Sequence, residues 1–175
     1  RHYTPPYMRA DGEAKGPVGR ADRFLRFVEA EVIPHVDRRY RTTATRMLAG
    51  NSRGGLFVVY SLLERPDLFS ARFAYSPALW RDGDRIIAEL TRPSKVRNVT
   101  PAFVYLSLGD RENAKMTRAF RRAVEVLRTS ASPAVRWRAD ITRGADHGDN
   151  AVLSAPGALR GYHRTFRGPA PYHRP

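Results

Sequence analysis

Four short apolar runs, at residues 46–49, 71–75, 102–108 and 134–141, each give way to a segment with helical periodicity. A chain that alternates in this way is confined to a layered α/β arrangement built on mostly parallel strands. The helical patterns cover 21–39, 53–64, 84–91, 113–129 and 150–166, and in the fourth of them Met116, Phe120, Val124 and Leu127 recur on one face. With 175 residues the chain fits one domain, expected over 1–167 and followed by a proline-rich tail at 168–175. No apolar stretch is long enough to span a membrane, and no signal peptide is visible in the chain. It contains no cysteine, hence no disulfide, thiol nucleophile or cysteine-based zinc site, and its composition leaves the compartment open.

The first junction is the most specific. Met47-Leu48-Ala49 reads as a buried strand, Gly50-Asn51-Ser52-Arg53-Gly54 follows as Gly-x-Ser-x-Gly, and Gly55 leads into the apolar helix Leu56 to Leu63, which ends before Arg65-Pro66. A serine wedged between a strand and a helix is forced into a strained turn that displays its hydroxyl, with Gly50 and Gly54 expected to leave space for the chain to pass close to its neighbours. Such a serine is a candidate nucleophile. Its hydroxyl is weak at neutral pH, so the motif predicts a histidine to take the proton and a carboxylate to orient that histidine.

Five histidines are present. His2, His35 and His173 lie in a terminal stretch, before the turn and in the tail, and His163 falls inside the last helical pattern. His147 lies in the Gly/Asp-rich loop 143–150, just after the fourth strand candidate, where folds of this kind carry reactive side chains. For the carboxylate, the third strand ends at Gly109-Asp110-Arg111-Glu112. Glu112 stands farther out and can reach the histidine loop; Asp110 is the alternative acid, or a turn or helix-cap residue.

These residues resemble a known group, the Putative esterase family of α/β-hydrolases, which includes enterochelin (siderophore) esterases, feruloyl esterases, S-formylglutathione hydrolases and mycolyltransferases. The resemblance runs nearly end to end, through Arg1-His2-Tyr3-Thr4-Pro5, Ile33-Pro34-His35-Val36-Asp37 to Tyr40-Arg41-Thr42, the Gly-x-Ser-x-Gly turn, Ser76-Pro77-Ala78-Leu79-Trp80, Leu108-Gly109-Asp110-Arg111-Glu112 and Asp146-His147. It implies an α/β-hydrolase fold and a serine esterase with Ser52 as nucleophile, Glu112 as acid, His147 as base and the Arg53 amide in the oxyanion hole. One departure is Asn51, where the family commonly has histidine; altered pocket polarity with unchanged triad chemistry is expected. A second is the early turn, reached by residue 50 with no clear strand before it, so the first strands of the sheet and one oxyanion donor are expected to belong to a preceding part of a longer protein. Trp80 is expected either to line the acyl or alcohol site with its apolar face or to pack in the core. Asn150 is expected to cap the final helix.

The formal charge of +14 raises a nucleic-acid reading. Against it, the cations are nearly all scattered arginines; only Lys15, Lys95 and Lys115 are lysine, and the densest arginine groups are Arg38-Arg39-Tyr40-Arg41 and Arg118 with Arg121-Arg122. The expected partner is a small-molecule ester, anionic or aromatic, drawn in by a positive field; no nucleic acid, cofactor or metal is expected, since the histidines lack close ligand spacing. Oligomeric state is left open. A non-catalytic domain that keeps the fold as a binding surface is the alternative function.

Overall fold

The computed structural model describes residues 1–9, 16–92, 102–131 and 133–166; the tail expected at 168–175 lies outside them. Four strands, β1 (Met47–Asn51), β2 (Ala71–Tyr75), β3 (Ala102–Gly109) and β4 (Val135–Thr142), form one sheet in the order β1-β2-β3-β4. Every pairing is parallel, and the register aligns Asn51 with Tyr75, Tyr75 with Ser107 and Ser107 with Asp140. All four carboxyl ends therefore open on one rim.

Helices cover both faces, because strand side chains alternate. Ala74, Val104, Leu106 and Leu108 point into the larger core, shared with α1 (Ala21–Phe27), α3 (Arg53–Glu64), α4 (Arg81–Leu90) and α5 (Ala114–Ser130). Ala71, Phe73, Tyr75, Phe103 and Tyr105 face the other way, onto Ala158 and Tyr162 of α6 (Asn150–Phe166). β2 and β3 are buried along their whole length, as continuous apolar runs with helices on both sides should be. Among the described residues no helix is long and apolar enough to cross a membrane.

Three local features refine the sequence reading. The helix expected over 21–39 is α1, a π-helical turn at Val28–Val32 and α2 (Ile33–Arg39) in sequence. Ile33 N–H reaches back to Val28 O, and Pro34, which lacks an N–H, follows this shift in the hydrogen-bond ladder. α4 is broken in its first turn, where Asp82, Gly83 and Asp84 have φ of 50, 65 and 60°. β1, expected beside further strands of a longer protein, is open on that side here, and Met47 is 42% exposed. β1 pairs only with β2 among the described residues, and α6 packs on β2, β3 and β4 without covering it.

Arg72 anchors α3 from below. It points into the larger core, fully buried, and donates to Phe69 O at 2.8 Å, Arg65 O at 2.6 Å, Pro66 O at 3.3 Å, Ser61 O at 3.4 Å and Ser61 Oγ at 3.0 Å. These acceptors lie at and just beyond the C-terminus of α3 (Arg53–Glu64), where a cation suits the helix dipole; Ser61 O and Arg65 O also accept from Arg65 N and Leu68 N. Burial pushes the guanidinium down to about 10, so it remains charged at neutral pH. Replacing Arg72 with Met strips that carbonyl cluster of its donors and should cost on the order of 3 kcal/mol. A urea unfolding midpoint unchanged from the parent protein would contradict this account of how α3 is held.

Candidate active site

Ser52 separates β1 from α3 with φ 55° and ψ −116°, a conformation that costs a non-glycine residue of order 1–3 kcal/mol. It is fixed there on three sides: Ser52 N donates to Tyr75 O at 3.0 Å, while Ser52 O accepts from Leu56 N and Ala78 N, each at 3.0 Å. Serine is a favoured N-cap, yet its side chain does not cap α3. The half-buried hydroxyl is left to face an open cleft of about 750 Å³. Arg53 is the first residue of α3, so its backbone N–H is one of the donors a helix N-terminus leaves unpaired.

The carboxylate and imidazole come from the other end of the sheet. Glu112, three residues past the end of β3, has a fully buried side chain. Its Oε2 lies 3.0 Å from His147 Nδ1, and its Oε1 accepts from Gly109 N at 3.0 Å and from Ser76 Oγ. His147 is 45% exposed and lines the same cleft as Ser52. No hydrogen bond joins the two among the described residues, and such contacts commonly tighten only when substrate is bound. The histidine loop is pressed onto the end of β3: Arg111 N donates to Ala145 O at 3.0 Å, and a Cβ on Gly109 would sit 2.3 Å from that oxygen.

Of the two acid candidates, only Glu112 touches His147. Asp110 is exposed and its Oδ1 accepts from Gly144 N at 2.8 Å, which shapes the turn after β4. Trp80, half-buried, packs against the larger core and also lines the cleft. Arg53, Arg81 and Arg111 are among the residues that line it, together with Asp146. Asn51, expected in the pocket, lies outside the lining: as the last residue of β1 it shares the face of Tyr75, away from α3, and is exposed. Asn150 is corrected too. It starts α6 as expected of a helix-terminal residue, but its side chain is buried and donates to Ser76 Oγ at 2.8 Å and Ser107 Oγ at 3.1 Å.

Ser76 is a site-supporting residue that the sequence marks only by Ser-Pro directly after a strand end; it is buried, with φ 42°. Ser107 and Ser154 had no such signal. Among the described residues no group of three or more His, Cys, Asp or Glu could hold a metal ion.

The model of the family described as Putative esterase matches residues 2–156. The ferri-bacillibactin esterase BesA of Bacillus subtilis is 39% identical over 72 residues, 41% of this chain and 25% of that protein. The siderophore enterobactin esterase of Emericella nidulans is 37% identical over 95 residues, 52% of this chain and 31% of that protein. The matched stretches thus span a quarter to a third of these relatives' own lengths. Among solved structures, the BES protein from Bacillus cereus superposes with a TM-score of 0.82 at 21% identity, covering 92% of this chain and 62% of that one.

The turn itself makes an asymmetric prediction. A Cβ on Gly50 would fall 2.4–2.9 Å from the backbone of Gly54, whereas a Cβ on Gly54 would meet nothing, so the close approach expected of both glycines is required only of Gly50. Gly50→Ala should destabilise by about 1–3 kcal/mol through overpacking. Gly54→Ala, in the first turn of α3, should be neutral or stabilising by up to about 1 kcal/mol. Thermal unfolding of the two variants checks the pair, and equal losses would contradict it.

Proposed function

The chain belongs to the Putative esterase family and its fold is that of the α/β-hydrolases; from that premise we propose that it is a serine carboxylic-ester hydrolase working through Ser52, His147 and Glu112. One observation carries the reading: a strained, uncapped Ser52 hydroxyl opens into the cleft that also holds an imidazole bonded to a fully buried carboxylate. These groups supply the three roles that acyl transfer to a serine requires.

In the proposed mechanism His147 takes the proton from Ser52 as Oγ attacks the ester carbonyl. The Arg53 amide donates to the tetrahedral oxyanion, the type of stabilisation that contributes most to such reactions. The alcohol departs with the proton from the imidazolium, which Glu112 orients and stabilises through Nδ1. Water then attacks the acyl-enzyme by the same path and frees Ser52.

For the substrate we infer a small-molecule ester with an anionic or aromatic part. Arg53, Arg81 and Arg111 line the cleft against two carboxylates, Glu112 and Asp146, and Trp80 offers an apolar face. The relatives named as siderophore esterases make siderophore esters the first class to assay.

Two substitutions test the roles. Ser52→Ala should lower turnover of an activated ester such as p-nitrophenyl acetate by at least about 10³-fold, and retained activity would end the assignment. Glu112→Gln should lower kcat by about 10²- to 10⁴-fold while Asp110→Asn has a much smaller effect; the reverse order would make Asp110 the acid.

A further inference from the structure

Beneath the Glu112–His147 pair lies a polar cluster that this mechanism does not use. Ser76, Ser107 and Asn150 are 0% exposed and Ser154 is 5% exposed. Buried hydroxyls and amides must place their hydrogens on partners, and here the hydrogens can be counted. Ser154 Oγ donates to Asn150 O at 2.7 Å. In the 2.8 Å contact between Ser107 Oγ and Ser154 Oγ, Ser107 is therefore the donor. With its one hydrogen committed, Ser107 accepts from Asn150 Nδ2. The second amide hydrogen of Asn150 goes to Ser76 Oγ, which leaves the single hydrogen of Ser76 for Glu112 Oε1. Every bond in the cluster thus has one direction, and the last arrow points at the carboxylate.

The cluster also closes a ring. Glu112 bonds His147; three residues on along the chain, Asn150 bonds Ser76; Ser76 bonds Glu112. Ser76 occupies its place at φ 42°, a conformation glycine adopts at lower cost. Strain held at a buried residue whose only distinguishing group is a hydroxyl aimed at the acid points to a use for that hydroxyl.

We propose that Asn150 and Ser76 form a hydrogen-orienting relay that holds Glu112, and through it the ring of His147, in working geometry. Both are positioning residues, and the inference rests on the esterase reading above. The amide nitrogen of Asn150 is the directing group because it can only donate. An aspartate at 150 would accept from Ser76 and draw its hydrogen away from Glu112.

The test compares Ser76→Gly and Asn150→Asp with the parent protein and with Ser52→Ala, reading kcat, KM and Tm. Glycine at 76 removes the hydroxyl while relieving the strained φ, which offsets part of the stability lost with its two hydrogen bonds, so Tm should fall less than in Ser76→Ala. The relay account expects kcat to fall about 10- to 100-fold, the factor equivalent to one hydrogen bond to a charged group, with KM within about two-fold. Asn150→Asp should lower kcat by a similar factor, and the double variant should lose little more than either single one, because the two act in series. Ser76→Ala supplies the same comparison with the backbone kept from loosening. If Ser52-dependent turnover is present and Ser76→Gly and Ser76→Ala keep kcat within about two-fold of the parent, the relay is overturned and the esterase reading stands. If Tm drops in the variants while kcat does not, the cluster serves stability alone and the relay is likewise overturned. If the parent protein turns over no ester, both readings fall together.

Discussion

A carboxylate removed from water must find donors for its oxygens or it destabilises the fold that buries it. Glu112 meets that condition with Gly109 N–H and the Ser76 hydroxyl on one oxygen and the His147 ring on the other. The donors come from three neighbouring places on the rim, the connection after β2, the last residue of β3 and the connection after β4. The sheet can supply them together only because its strands are parallel and in register, so that consecutive carboxyl ends share one rim. Glu112 is therefore both a product of the topology and the group that ties three loops to one another.

Two serines carry the local cost of this design. Ser52 and Ser76 both have positive φ, and they are joined through the backbone, Ser52 N to Tyr75 O and Ala78 N to Ser52 O. The turn that displays the hydroxyl and the turn that supports the carboxylate are thus braced against each other. The helix behind Ser52 is held at its far end by Arg72, whose guanidinium gathers the carbonyls of Ser61, Arg65, Pro66 and Phe69 at and beyond the end of α3. Rigidity at both ends of α3 keeps a strained residue in place where an unsupported turn would relax.

Much of this arrangement was legible in the amino-acid sequence because its signals are local. Periodicity marked all four strands and the helices between them, and Gly-x-Ser-x-Gly between an apolar run and an apolar helix marked the strained serine. Reach and the family resemblance both favour Glu112 over Asp110 as the acid; in the structure one lies on His147 and the other on the turn at Gly144. The open side of β1 agrees with the early position of the turn, since a strand expected beside further strands has no pairing there among the described residues. Asn150, by contrast, looked like a helix cap. Its position three residues past His147 was visible, but its partners Ser76 and Ser107 lie 74 and 43 residues away in the chain.

The central claim is that the Ser52 hydroxyl is activated by an imidazole which Glu112 holds in place. Covalent labelling with a fluorophosphonate, read by mass spectrometry of the digested protein, tests it most directly, since the reagent reacts with activated serines and ignores ordinary ones. The account predicts a single adduct on Ser52 that disappears when His147 is replaced with Ala. An unlabelled Ser52, or labelling that survives the loss of His147, would contradict it.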